Sequence, residues 1–156
     1  MPDKLKGTYV LEFSILQELS FRVRSGKEFS LLPGLYAYVG SAFGSGGIPS
    51  RLYRHLKREK KRHWHLDFIT TSPLFSPELV VLLPGLRVEC RVASLISSLP
   101  GSFPVASFGS SDCSCPSHLF LVNDFGEVNG LICREFEGVK ILKTNQPEML
   151  WSLRSS

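Results

Sequence analysis

The chain has 156 residues, 43% of them hydrophobic and 21% charged, with a net charge of +4 and a pI of about 9.0. This length buries one ordinary core, and the composition excludes a disordered chain. The mild positive excess favours an anionic partner. The longest apolar stretches, such as 79–83, are strand-sized and bounded by Pro and Gly, which argues against a membrane-spanning helix and a membrane partner. Met1-Pro2-Asp3-Lys4 carries no apolar signal region, so the expected compartment is the cytoplasm, where Cys90, Cys113, Cys115 and Cys133 are thiols, metal ligands or core residues.

The first predicted element is a buried strand over 7–15, rich in Tyr, Val, Leu, Phe and Ile. Residues 19–23 alternate apolar and polar side chains, as a half-buried strand does, and Ser25-Gly26-Lys27 turns the chain into a further strand over 29–32. Pro33-Gly34 breaks it again before Leu35-Tyr36-Ala37-Tyr38-Val39-Gly40. A glycine-rich loop over 41–47 precedes a helix starting near Ile48-Pro49, with Leu52, His55 and Leu56 on one face. The basic run 57–62 extends this helix, and a second helix starts near 63–69. Leu79–Leu83 reads as a strand, 87–98 as a helix ended by Leu99-Pro100-Gly101, and 118–123 as a strand. Asp124-Phe125-Gly126 is a turn, and the tail from about 126 is weakly patterned. Nothing divides residues 1–156, which are read as a single domain. Hairpin-like turns early and helices later predict an α+β fold, with a small, mainly antiparallel sheet flanked by helices.

Four features carry candidate chemistry. Tyr9 opens one strand and Tyr38 closes another, so the phenols can meet on one sheet face; tyrosines on strands are otherwise packing residues. A phenol titrates near 10, so a base role needs a neighbouring cation. Arg51 and His55 share a helix face at i, i+4, where Arg offers a fork of donors for phosphate and His can relay a proton near neutral pH; the alternative is a solvated basic helix with His55 against the core. Arg54, Lys57, Arg58, Lys61 and Arg62, with Trp64 and Phe68 nearby, suit a nucleic-acid backbone and a stacking surface. Glu89 opens the third helix, where the dipole favours a carboxylate; opposite Tyr9, Tyr38 and Arg51 it would suit a hard divalent cation.

In their order along the chain, Gly7-Thr8-Tyr9, Tyr38-Val39-Gly40-Ser41-Ala42, Arg51, His55 and Glu89-Cys90 resemble the GIY-YIG nuclease superfamily. The string 34–42, the run 54–56, the cluster 63–67 and Ser111-Asp112-Cys113-Ser114-Cys115 are similar to its small stand-alone Uri-type endonuclease-like branch. The resemblance spans about residues 6–120. It implies a GIY-YIG-like fold and metal-dependent endonuclease activity on nucleic acid, DNA before RNA, with one Mg²⁺ or Mn²⁺. It also implies Tyr9 as base or water-orienting group, Tyr38 as its partner, Arg51 on the phosphate, His55 beside it and Glu89 on the metal. Thr8 stands where the pattern has Ile, and the spacer between the tyrosine motifs holds an extra hairpin.

The loop 112–118 offers Cys113, Cys115 and His118, with Cys90 as a fourth zinc-ligand candidate. A C-x-C pair is tighter than the usual C-x₂₋₄-C, and the alternative is a loop that packs its thiols. The competing functions are a non-cleaving nucleic-acid-binding module on the same fold and a zinc-stabilised interaction protein.

Overall fold

A computed structural model describes residues 5–109 and 115–144. The elements in chain order are β1 (Gly7–Ile15), β2 (Leu19–Arg22), β3 (Glu28–Leu31), β4 (Gly34–Ala42), α1 (Gly47–Leu56), α2 (Asp67–Thr70), β5 (Phe75–Pro84), α3 (Glu89–Ser97), β6 (Phe103–Pro104), β7 (Leu119–Val122), α4 (Phe125–Glu135) and β8 (Lys140–Lys143). Six strands form one sheet in the order β6-β7-β4-β1-β5-β8, and β2 and β3 form a separate hairpin sheet. Every strand pairing among the described residues is antiparallel. The fold is thus α+β with an antiparallel sheet flanked by helices. No helix among the described residues is long and apolar enough to cross a membrane.

β1 lies at the centre, between β4 and β5, and is buried along nearly its whole length. Its side chains alternate between two cores, as the two-residue period of a strand requires. Tyr9, Leu11, Phe13 and Ile15 pack with Ile48 and Leu52 of α1, Leu66 and Ile69 at α2, and Phe29 and Leu31 of β3. Val10 faces the other way, with Val92, Ala93 and Ile96 of α3 and Val128 and Ile132 of α4. The sheet is therefore sandwiched, with α1, α2 and the β2-β3 hairpin on one face and α3 and α4 on the other.

Three expectations differ from the structure. The basic run does not prolong α1: the helix ends at Leu56 and Lys57 is extended. The ammonium of Lys60 donates to the carbonyls of Arg54 and His55 at 2.6 and 2.8 Å, satisfying C-terminal acceptors that another helical turn would have used. The stretch 63–66 precedes a single short helix, since Asp67 Oδ2 accepts from the backbone N–H groups of His63 and Trp64 and holds that segment as a turn. The tail after 126 is not unpatterned. Asp124 caps α4 by accepting from Gly126 N at 2.8 Å, and β8 adds to the sheet against β5.

Burial creates one consequence for stability. Glu12 of β1 is fully buried among apolar residues and its Oε1 accepts from Asn129 Nδ2 of α4 at 3.0 Å. Burial, with a contribution from the Glu78 charge, pushes its carboxyl up to about 8 against the opposing effect of the Asn129 bond. The folded chain therefore keeps a proton that the unfolded chain releases near pH 4. This contribution is full at acidic pH and is lost as pH rises towards 8, a change on the order of 5 kcal/mol. The denaturant midpoint should fall between pH 5.5 and 8.5, and Glu12→Gln should flatten that fall. A parent midpoint that holds or rises over this range would contradict a buried neutral Glu12.

Candidate functional site

The site forms where the paired ends of β1 and β4 meet. Tyr9 sits opposite Gly40 in the β1-β4 register, with Tyr38 two residues back on the same face of β4. Gly40 is required for close approach: a Cβ there would lie 2.5 Å from the Tyr9 hydroxyl. The Tyr9 ring can thus lie flat across β4 and send its oxygen towards α1. There it meets His55 Nε2 at 2.7 Å, both residues being buried.

The direction of that hydrogen bond follows from charge and burial. Burial pushes the His55 imidazole down to about 3, helped by the nearby charges of Lys60 and Arg51 and opposed by Asp67. Burial likewise raises the Tyr9 phenol well above its ordinary value; Tyr38 and Glu89 raise it further and Arg51 counters them. At neutral pH Tyr9 is therefore a phenol donating to a neutral His55. His55 orients Tyr9 and does not titrate near neutrality, which departs from the expected proton relay. Tyr38 is half-buried, and burial pushes its phenol up to about 12 while Arg51 pulls the other way.

Tyr9, Tyr38, Gly40, Ser41, Arg51, Glu89, Gly109 and His118 line one pocket of about 230 Å³. Four of the five expected site residues thus converge on it, and His55 stands behind Tyr9. The bodies of α1 and α3 pack on opposite faces of the sheet. Glu89 still reaches the pocket because it is the first residue of α3, where Ser41 Oγ donates to its Oε1 at 3.2 Å. Ser41, Gly109 and His118 are additions that the motifs did not single out for this pocket. Only the adjacency of Ser41 to Gly40, and of His118 to the cysteine loop, signalled them.

The expected nucleic-acid contacts divide into two groups. Arg54 is committed to Asp67, with two nitrogens donating to both carboxylate oxygens at 2.7 and 2.8 Å. Arg58 donates to the carbonyls of Ser72 and Phe75 at 2.8 and 2.7 Å. These two guanidinium groups tie the chain together internally. Lys57, Lys61 and Arg62 are exposed. Trp64 carries Arg51 over its ring at 4.5 Å and Arg54 at 4.1 Å, so the shelf beside the pocket is cationic and aromatic.

The metal expectation requires correction. Among the described residues, the one group of three metal-ligating side chains is Cys90, Cys115 and His118, whose ligand atoms lie within 4.8 Å of one another. Glu89 is not in it, and Asp67 is consumed by Arg54 and two backbone donors. Mg²⁺ and Mn²⁺ require several oxygen ligands, whereas two sulfurs and an imidazole are a ligand set typical of zinc. Zinc would hold such atoms about 3.5 Å apart, a small contraction from the present spacing. The expected ligand Cys113, like Asp112, lies outside the described residues. His118 belongs both to this cluster and to the pocket.

A family model described as a domain of unknown function, DUF123, matches residues 8–141. The chain belongs to the DUF123 family. This overturns the resemblance to the GIY-YIG superfamily, which rested on short motifs: the family model that matches residues 8–141 is DUF123. No curated protein and no solved structure matches the chain. Two features bear on what this DUF123 domain does: the pocket, and beside it the possible zinc ligands Cys90, Cys115 and His118.

Proposed function

We propose that this DUF123 domain is a metal-assisted endonuclease, in which the pocket takes a phosphodiester of nucleic acid and hydrolyses it. The observation that carries this reading is the convergence of Arg51, Glu89 and the hydrogen-bonded Tyr9-His55 pair on one small polar pocket beside a cationic shelf. At about 230 Å³ the space is below the range of drug-sized ligand pockets and suits a phosphate group better than a whole nucleotide.

Each side chain has work that its geometry permits. Arg51 donates to the non-bridging oxygens and offsets the charge that grows as a fifth oxygen approaches phosphorus. Both phenols keep their protons at neutral pH, so they orient the attacking water and do not deprotonate it. Glu89 is the carboxylate of the pocket and accepts the proton from that water. The water oxygen bonds to phosphorus, the bond from phosphorus to the leaving oxygen breaks, and the leaving oxygen takes a proton from solvent. A zinc ion in the adjacent cluster would add positive charge beside the scissile group. Lys57, Lys61 and Arg62 draw the flanking phosphates.

The test is a panel of single-stranded, duplex and branched DNA and RNA oligonucleotides, incubated with the zinc-loaded protein and with Arg51→Ala. Cleavage by the parent should fall about 100-fold or more in the variant, and binding should weaken steeply with added salt as counterions are released. Binding without cleavage by the parent would identify a non-cleaving module. Absence of both at low salt would sink the proposal.

A further inference from the structure

Cys90 is an exposed cysteine one residue beyond Glu89, on the first turn of α3. Cysteine is ordinarily among the most buried residue types, so an exposed one beside two other ligands is not explained by packing. The start of α3 also lacks the usual fastening, because its N-cap is Val88 and no side chain caps it. Two contacts tie that start to the sheet: Thr8 Oγ1 accepts from Val88 N at 3.1 Å, and Ser41 Oγ donates to Glu89.

His118, on the other side of the cluster, is fixed in the frame of the sheet. The backbone of His118 bonds on both sides: its carbonyl accepts from Val39 N of β4 and its N–H donates to Phe108 O, each at 2.8 Å. Ser117 Oγ accepts from Leu119 N and fixes the entry into β7. His118 is thus held against the strand that carries Tyr38 and Gly40, while Cys90 travels with Glu89.

We propose that a zinc ion held by Cys90, Cys115 and His118 is a clamp that sets Glu89 in the pocket, by tying the first turn of α3 to the frame of β4 and β7. Metal binding to such a site stabilises the arrangement that brings its ligands together. Glu89 is then placed by the metal without ligating it. The clamp rests on the proposed function only for its effect on cleavage; metal content and helix protection stand apart from activity.

The experiment uses the full chain, zinc-loaded and dialysed, with metal content measured by atomic emission and amide protection by hydrogen exchange. One zinc per chain is expected in the parent, in Glu89→Gln and in Cys133→Ser, whose cysteine is exposed on α4 outside the cluster. Cys90→Ser and Cys115→Ser should lose it, and cobalt in place of zinc should show thiolate-to-metal charge transfer. Reversible chelation of the parent, which needs no variant to fold, should lower protection of the Val92 and Ala93 amides at least tenfold while β1 stays protected. Zinc-free parent protein, loss of zinc in Glu89→Gln, or unchanged protection of α3 after chelation would each overturn the clamp. Metal and protection behaving as expected without any cleavage would support the clamp and count against the nuclease reading alone.

Discussion

Glu89→Gln is expected to lower cleavage about 1,000-fold while leaving oligonucleotide affinity within a few-fold of the parent. The amide keeps the shape of the side chain and can still pair with Ser41, which now donates to the carboxylate at 3.2 Å. What it loses is the ability to take a proton. Positioned proton acceptors contribute about 10²- to 10⁴-fold to rates, and burial holds both phenols of the pocket protonated, so neither replaces the carboxylate. The exposed cations Lys57, Lys61 and Arg62 are untouched, and removing a negative charge beside a phosphate favours binding. The decisive measurement is single-turnover cleavage and equilibrium binding on one substrate. A variant that cuts as fast as the parent would remove Glu89 from the chemistry.

The second large effect concerns the scaffold. Asp67 is fully buried, and its carboxylate accepts from both Arg54 nitrogens, His63 N and Trp64 N. Burial alone would raise it, but these donors outweigh that and hold it at about 2. Asp67→Ala leaves the Arg54 charge and two backbone N–H groups without their acceptor, and should cost about 3–5 kcal/mol, the range for breaking a buried pair from one side. The sign for pH follows from the depressed value. The contribution of Asp67 is present above about pH 4 and is lost as pH falls towards 2, so the parent should lose stability in acid faster than Asp67→Asn. Denaturant titrations at pH 7 and pH 3 check both statements, and an Asp67→Ala variant as stable as the parent would show that the pair carries no net stability.

Much of this arrangement can be read in the residues themselves. The strand of Tyr9, the glycine that follows Val39 and the proline at the start of α1 are local signals that agree with the tertiary fold. The helix limits were harder, for a physical reason. The run 57–62 consists mostly of good helix formers, yet Lys60 folds back onto the end of α1 and Asp67 claims the backbone of 63 and 64, and neither contact has a local signature. By contrast α4 was legible and misread: Asp124 followed by Glu127 is an N-cap pattern before an apolar periodicity. The carboxylates were the weakest point. Glu12 looks like any strand residue, and only the packing of α4 onto β1 shows that it is buried beside Asn129. Glu89 suggested a hard cation because a carboxylate is a hard oxygen ligand, and the tight Cys-x-Cys spacing separately argued against zinc. That argument concerned two neighbouring cysteines, whereas the cluster draws one thiol from α3 and another from the loop before β7.

Trp64, with two guanidinium groups against its ring, gives the molecule an internal optical reporter. One of its neighbours, Arg54, is locked by Asp67, while the other, Arg51, lines the pocket. The His55 ring meets the Trp64 ring edge-on, with the two ring centres 5.9 Å apart. Indole emission responds to nearby charge, so an anion that draws Arg51 away changes the light from Trp64 while the Arg54 side stays constant. The chain has two tryptophans, Trp64 and Trp151. With Trp151→Phe the whole tryptophan signal comes from a ring stacked on a pocket residue, and occupancy can be followed without a label, even in a variant that turns nothing over.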